Sequence, residues 1–337
     1  MTPTCLKAMY HIPTIHYAQP ENIMGLYETY DAFSQQDIDL FFASFAPWVP
    51  QGTTPDVKSV DGGTAPVSPG SVRNGGESDI DLDLSYSLIY PQTVTLYQVD
   101  DLPNSSGETN VSGFLNTFLD SVDGSYCDYT AYGITGDTPG VDAQYPDTNY
   151  TNGYKGQLEC GTYSLTRVLS ISYGEAEIYL PKNYVERQCN EFMKLGLQGH
   201  SIFVASGDYG VASFPGSNGD AYGCLNGTIY NPDYPSGCPY ITTVGQTRYY
   251  PNQTILDRES AGSVDLNALR VANGLPNDPP LAFFGSGGGF SNYFTPPSCR
   301  SSAKFMMPSY ADYVLQTKRP LSKTTWRTIP PTCRTTW

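Results

Sequence analysis

The fold is decided by residues 168–208, VLSISYGEAEIYLPKNYVERQCNEFMKLGLQGHSIFVASGD. Two apolar runs in this stretch, at 168–172 and 202–205, have the length and composition of buried strands. The segment over about 182–197 places four residues on one helical face: Val185, Cys189, Phe192 and Gly196. A strand, a crossover helix and a second strand predict a right-handed βαβ unit, and hence an α/β fold with a mainly parallel sheet flanked by helices.

Upstream residues add a further strand and helix. The run 23–27 predicts a strand, and Ser34 with Asp37 resembles a capping box at the start of a helix that Pro47 ends. Segments rich in Gly, Pro, Ser and Asn predict loops at 51–75, 137–153 and 207–240. We therefore predict one domain over residues 1–298.

The composition is that of an acidic globular protein. The 337 residues are 39% hydrophobic, which is enough for a substantial buried core. They include 33 acidic and 18 basic residues, and the net charge of −15 disfavours binding to the phosphate backbone of nucleic acids. No stretch approaches a transmembrane span. We expect a monomer with neither a nucleic-acid nor a membrane partner.

Cysteines and glycosylation motifs indicate an extracellular, secreted protein. The eight cysteines include no C-x-x-C pair, so we expect disulfides, with Cys127–Cys160 and Cys224–Cys238 as the preferred pairs. Asn-x-Ser/Thr motifs occur at Asn104, Asn110, Asn149, Asn226 and Asn252. Residues 1–25 contain no signal sequence, so we expect an artificial or mis-assigned start, with the signal and a pro-segment upstream.

The end of the chain differs in charge from the rest. Residues 317–337 contain five basic residues and no acidic ones, whereas the preceding 316 residues carry 13 basic and 33 acidic ones. The change predicts that residues 299–337 are a divergent or misframed tail, and that the domain is incomplete at its C-terminus.

Two acidic segments are candidates for chemistry. Glu77 and Asp81 are four residues apart and would share one face of a helix. Residues 79–88, however, alternate between polar and apolar, which predicts a half-buried strand. Asp208 follows the second strand of the βαβ unit, where α/β sheets usually place ligands, although an aspartate there also stabilises turns.

Histidine-based catalysis is disfavoured. The chain has three histidines, and none stands in a recognisable catalytic setting. In acid a histidine with a pKa of about 6.5 is protonated, whereas a carboxylate with a pKa of about 4.3 can still accept a proton. We therefore expect carboxyl groups to carry any acid–base chemistry.

Five segments occur in a characteristic order: CLKAMY at 5–10, GESDID at 76–81, ISYG at 171–174, SGDYG at 206–210 and SGGGFS at 286–291. Together they resemble the sedolisin family of serine-carboxyl peptidases, and most of all its fungal secreted tripeptidyl-peptidases. The resemblance implies a subtilisin-like fold with a helix over 77–88 in place of the strand. It further implies that Glu77 is the general base, that Asp81 orients it, and that protonated Asp208 donates to the oxyanion.

The same resemblance implies that an extended peptide or protein substrate is held by the backbone of Ser172, Gly174, Gly287, Gly288 and Gly289. Glu175 and Glu177 follow this first edge. One interpretation is that they shape subsites or bind a free amino terminus, but we expect both to be exposed surface acids.

The family's nucleophilic serine lies in a Gly-Thr-Ser-x-Ser segment that this sequence does not contain. The family's calcium ligands also have no counterpart, so calcium is implied by the resemblance alone and no metal ligand is assigned. We therefore expect an inactive descendant of an acid peptidase that removes tripeptides or cuts internally. Two alternatives stay open, a peptide-binding pseudopeptidase and a non-enzymatic secreted glycoprotein.

Overall fold

The computed structural model describes residues 2–105, 115–127, 138, 140–143, 145–146, 150–214, 223–226, 228–249, 252–254, 257–276 and 283–295. Its helices are α1 Pro3–Met9, α2 Gln35–Phe45, α3 Gly76–Ile89, α4 Leu102–Ser105, α5 Asn116–Val122, α6 Lys182–Leu197 and α7 Leu266–Ala272. Its strands are β1 Met24–Thr29, β2 Asp56–Val60, β3 Val94–Val99, β4 Val168–Ile171, β5 Glu175–Ala176, β6 Ser201–Ala205, β7 Asp233–Tyr234, β8 Thr242–Val244, β9 Thr247–Arg248, β10 Ser260–Ala261, β11 Ser263–Asp265 and β12 Phe283–Gly285. The tail predicted at 299–337 lies outside the described residues.

A six-stranded sheet has the strand order β2-β3-β1-β4-β6-β8. β1 pairs in parallel with both β3 and β4, and β2 pairs in parallel with β3. The predicted unit at 168–208 is present as β4, α6 and β6, and its two strands are neighbours in the sheet. The prediction of an α/β fold with a mainly parallel sheet flanked by helices is therefore confirmed.

The chain forms two compact units. The first contains residues up to 172 together with 190–203, and the second contains residues 173–189 together with those from 204 onward. The core of the first unit packs α2 and α3 against β1 and β3, through Leu26, Phe33, Ile38, Phe42, Ala46, Val49, Leu82, Tyr86, Val94 and Leu96.

The predicted start of α2 is confirmed. The Ser34 side chain accepts a hydrogen bond from the Asp37 backbone N–H at 3.4 Å, which satisfies one of the free donors at the helix N-terminus. The helix ends at Phe45, two residues before Pro47.

The strand predicted at 79–88 is wrong, because these residues belong to α3. The residues that α3 buries follow helical spacing and include small serines: Ser78, Leu82, Ser85, Tyr86 and Ser87. Ile80, which an alternating strand would bury, is instead 49% exposed. A sequence pattern counts every serine as polar, but α3 buries three of its serines. The alternation of polar and apolar residues therefore misleads here. The helix implied by the family resemblance is the observed one.

One of the two preferred disulfides is confirmed and the other is wrong. Cys127 is bonded to Cys160 as predicted, but Cys238 is bonded to Cys189 and not to Cys224. The hydroxyl of Tyr234 donates to the Val185 carbonyl at 3.4 Å, so the turn after β7 packs on α6 and brings Cys238 to the helix. This tertiary contact leaves no trace in cysteine spacing.

Candidate active site

Glu77 and Asp81 lie one turn apart at the start of α3. The carboxylate of Asp31 caps this helix, since its Oδ2 accepts a hydrogen bond from the Glu77 backbone N–H at 3.3 Å. Gly75 permits this approach, because a Cβ at that position would lie 2.0 Å from the Asp31 carboxyl group. The cap fixes the first turn, which carries the exposed Glu77 side chain.

Asp81 belongs to a hydrogen-bonded carboxyl pair. Ser172 Oγ donates to Asp81 Oδ2 at 2.7 Å, and Asp81 is also hydrogen-bonded to Glu28. Two carboxyl groups can share a hydrogen bond only when one of them carries a proton. Burial raises the pKa of Asp81 by more than the hydrogen bonds from Ser172 and Glu28 lower it. The pair therefore keeps a proton at a pH where an exposed aspartic acid has lost its own.

Glu28 was not among the predicted site residues. Its side chain is fully buried near the end of β1, with 0% of its surface exposed. Burial of an ionisable group is costly unless the group is paired, and Glu28 has that pairing in its hydrogen bond to Asp81. The available signal was an acidic residue that directly follows the apolar run of a predicted strand.

Two further carboxyl groups on α3 are shifted toward the protonated form. Burial, followed by the charges of Asp79 and Asp37, raises the pKa of Asp83 to about 7. Burial likewise raises the pKa of Asp79, although its carboxylate accepts a hydrogen bond from the Ser34 backbone N–H. Both shifts favour the protonated form of these acids.

Asp208 lies in the second unit, in the turn that follows β6. The turn is tied to β8 by a hydrogen bond from the Ser206 N–H to the Val244 carbonyl at 3.0 Å. Although Asp208 is exposed, partial burial of its carboxyl group raises its pKa. The shift favours the protonated acid, which is the form that can donate a hydrogen bond.

Asp233 is a second carboxyl group at the same turn. A Cβ on Gly207, whose φ is +90°, would lie 2.2 Å from Asp233 Oδ2, so glycine is needed there for both its conformation and its size. Burial and the charge of Asp208 raise the pKa of Asp233 to about 6, against a hydrogen bond from Ser213 that lowers it.

The glycine-rich segment packs on this turn through its backbone. The N–H groups of Gly285, Gly287 and Gly288 donate to the carbonyl oxygens of Asp208, Gly207 and Gly210 at 2.6, 2.7 and 2.8 Å. A Cβ on Gly287 would lie 1.6 Å from the Ser206 carbonyl oxygen. The protein's own packing therefore requires glycine at 287, and the N–H groups of Gly287 and Gly288 are already engaged.

Gly174 and the two glutamates after it lie beside β7. A Cβ on Gly174 would lie 3.1 Å from the Asp233 Cβ. The expectation of exposed surface acids is wrong for Glu177, which is 1% exposed. Glu175 is half-buried, and burial followed by the charge of Asp233 raises its pKa.

The first unit thus brings together Glu77, Asp81 and Ser172. The second unit contains the remaining predicted residues: Gly174, Asp208, Gly287, Gly288 and Gly289.

No metal is assigned to these residues. Across the part of the chain that the structure describes, no group of three or more His, Cys, Asp or Glu side chains is placed to hold an ion. These residues therefore do not fit the calcium site that the family resemblance implies.

None of the described helices is both long and apolar enough to cross a membrane.

Comparison with solved structures defines the class of protein. The Pseudomonas sedolisin, a serine-carboxyl proteinase solved with two molecules of pseudo-iodotyrostatin, matches with a TM-score of 0.55 at 17% identity. The match covers 90% of this chain and 66% of that chain. No family model matches the sequence. The fold is that of sedolisin.

Sequence relatives agree with this fold. The chain is 47% identical over 306 residues to aorsin of Aspergillus oryzae, and 46% identical over 300 residues to tripeptidyl-peptidase sed1 of Aspergillus fumigatus. It is 35% identical over 316 residues to tripeptidyl-peptidase SED1 of Arthroderma otae. These matches cover 90%, 87% and 90% of this chain but only 44%, 41% and 43% of the relatives. The resemblance to the sedolisin family is confirmed, and the chain spans less than half the length of these relatives.

Proposed function

We propose that this chain carries the carboxyl side of an acid peptidase site. The observation that carries the proposal is the hydrogen-bonded pair of Asp81 on α3 and Glu28 on β1, with Asp81 one helical turn from Glu77. The similarity to tripeptidyl-peptidases of Aspergillus fumigatus and Arthroderma otae supports peptides as the substrate class. In a polypeptide that also supplies a nucleophilic serine, such a site would hydrolyse peptide bonds in acid.

Glu77 takes the role of general base, and Asp81 orients it. The exposed Glu77 carboxylate can meet a substrate, whereas half-buried Asp81 is held by Ser172 and by Glu28 at the end of β1. When Glu77 takes up a proton, the hydrogen-bonded carboxyl groups of Asp81 and Glu28 stabilise the protonated state.

Asp208 takes the role of the acid that donates a hydrogen bond to the oxyanion formed on the substrate carbonyl. Its raised pKa supports this role, because the donor must be protonated while the negative charge develops. The role ends when Asp208 ionises, so the proposed activity is confined to acid.

The 337 residues alone bind peptide without hydrolysing it, because the sequence contains no Gly-Thr-Ser-x-Ser segment. An extended peptide lies along Ser172 and Gly174 on one edge and along Gly287, Gly288 and Gly289 on the other. Gly287 and Gly288 offer it their carbonyl oxygens, since their N–H groups are engaged within the protein. This state corresponds to the peptide-binding alternative.

The test uses the purified 337-residue chain and a labelled extended peptide. We expect binding by fluorescence anisotropy at about pH 4, near the ordinary carboxyl pKa, and no cleavage by mass spectrometry. Absence of peptide binding at every pH would refute the proposal. The catalytic roles are tested in a full-length version that also supplies the nucleophilic serine. Peptide hydrolysis that Glu77→Gln, Asp81→Asn and Asp208→Asn all leave unchanged there would refute these roles, with Asp56→Asn as the control for a surface acid.

Secretion is part of the same proposal. The disulfides Cys127–Cys160 and Cys189–Cys238, seen among the described residues, support an oxidising compartment.

A further inference from the structure

Glu177 is a buried carboxylate that binds a distant segment of the second unit. It is 1% exposed and accepts hydrogen bonds from the Ser291 hydroxyl and from the Asn292 backbone N–H, the latter at 2.7 Å. The Asn292 side-chain amide adds a longer contact at 3.4 Å. Burial raises the pKa of Glu177, and these hydrogen bonds lower it in part. Above that pKa the donors are neutral and the acceptor is charged, which makes the bonds stronger than those between neutral groups.

Both partners of this contact belong to segments that are proposed to hold the peptide. Glu177 comes three residues after Gly174, directly after β5, and its own N–H donates to the Pro232 carbonyl at 3.1 Å. Ser291 comes two residues after Gly289. The carboxylate therefore links the end of one proposed peptide edge to the end of the other.

The Glu177 carboxylate is one of several contacts that hold the linked turn, and the Tyr293 hydroxyl also donates to the Leu180 carbonyl at 3.1 Å. Ser291 Oγ accepts hydrogen bonds from the N–H groups of Tyr293 and Phe294 at 3.0 and 2.9 Å, so the hydroxyl that donates to Glu177 also shapes the turn. The Asn292 side chain donates to the Tyr230 carbonyl at 2.9 Å. Loss of the Glu177 charge would thus release several contacts together.

We propose that Glu177 is a positioning residue that holds the 174–177 and 286–294 segments of the second unit at the spacing an extended peptide requires. The peptide part of this inference rests on the proposed function, whereas the link between the two segments does not. Glu177 does not contact the scissile bond in this scheme; it acts through Ser291 and Asn292.

The test compares Glu177→Gln with the wild-type chain by hydrogen–deuterium exchange and by peptide binding. Glutamine keeps the size of the side chain but replaces one acceptor oxygen with an amide donor, so one of the two positions that accept from Ser291 and Asn292 loses its acceptor. We expect faster exchange confined to residues 286–294, and peptide affinity weaker by about tenfold, the effect of losing one charge-assisted hydrogen bond.

Glu159→Gln is the matched control. Glu159 is also a buried glutamate, 7% exposed, and accepts hydrogen bonds from the Asp61 N–H and the Tyr163 hydroxyl in the first unit. We expect this variant to leave exchange at 286–294 and peptide affinity unchanged. Ser291→Ala removes the hydroxyl and keeps the charge, and it should reproduce the local exchange if Glu177→Gln does not fold.

The outcomes separate the two proposals. A chain that binds no peptide refutes the proposed function, while exchange at 286–294 still decides whether Glu177 links the segments. Exchange that is unchanged in both Glu177→Gln and Ser291→Ala would overturn the inference. Peptide affinity equal to wild type despite faster exchange would overturn the positioning role.

Discussion

Single side chains control the protonation of Asp81. Ser172 Oγ donates to its carboxylate at 2.7 Å and lowers its pKa, opposing the larger effect of burial. Ser172→Ala should therefore raise the pKa of Asp81, because the charged form loses a donor. Carboxyl carbon NMR titration of the labelled chain measures this, with Ser170→Ala on β4, two residues earlier, as the control. A lower Asp81 pKa in Ser172→Ala would contradict the assignment.

Asn104 is buried although it lies in a glycosylation motif. It is 5% exposed, and its amide donates to Asp61 Oδ2 at 2.9 Å, so a glycan there is incompatible with the fold. Asn226 and Asn252 are exposed. We expect glycans at Asn226 and Asn252 and none at Asn104 when the chain is secreted from a fungal host, as read by peptide mass spectrometry. Folded protein with a glycan on Asn104 would contradict the burial of this side chain.

The start of α3 depends on one glycine and tolerates change at the next. In Gly75→Ala the new methyl group would displace the capping carboxylate of Asp31, and we expect a loss of about 1 kcal/mol, the usual value of an N-cap. Gly76→Ala is the control, because a Cβ there meets nothing within 4 Å and alanine favours the helix. Urea unfolding compares the two, and equal stability would refute the capping role of Asp31.

The glycine-rich segment also contains one glycine that the packing requires and a neighbouring one that it does not. In Gly287→Ala the Cβ would meet the Ser206 carbonyl oxygen at 1.6 Å, and neither backbone can yield without breaking the hydrogen bonds of the turn. We expect a loss of about 2 kcal/mol or more. At Gly288 nothing lies within 4 Å, so Gly288→Ala should be close to wild type. Thermal unfolding tests both, and a tolerated Gly287→Ala would contradict this packing.

Raised carboxyl pKa values across both units predict that the protein is most stable in acid. Burial is the main cause at each site, and the pKa is about 10 for Asp61, about 7 for Asp83, Asp100 and Glu191, and about 6 for Asp233. Between the ordinary pKa of an aspartate and these values the folded state binds more protons than the unfolded state. Stability therefore falls as pH rises from about 4 to about 7, by up to about 1.4 kcal/mol per pH unit for each fully buried group.

Unfolding in urea at several pH values tests this dependence. We expect Asp61→Asn combined with Asp100→Asn to flatten the fall between about pH 4 and 7, since both side chains are buried in the first unit. Asp123→Asn is the control: burial would raise its pKa, but hydrogen bonds from Lys194 and Ser125 lower it to about 2, so it does not titrate in this range. A wild-type protein whose stability increases toward neutral pH would contradict the predicted fall in stability.

Local patterns were sufficient for the framework of the molecule. The βαβ unit at 168–208, the capped helix after Ser34 and the parallel sheet follow from hydrophobic periodicity and chain connectivity, which act between residues that are close in sequence. The order of short motifs was enough to place Asp208 after β6 and to imply the helix that carries Glu77 and Asp81.

Three-dimensional packing decided the features that join distant parts of the chain. The serines buried by α3, the partner of Cys238, and the burial of Glu28, Asn104 and Glu177 depend on which surfaces meet, and a one-dimensional pattern holds no record of that. Burial also sets the pKa values, because desolvation penalises the charged form of a carboxyl group only after the fold has enclosed it.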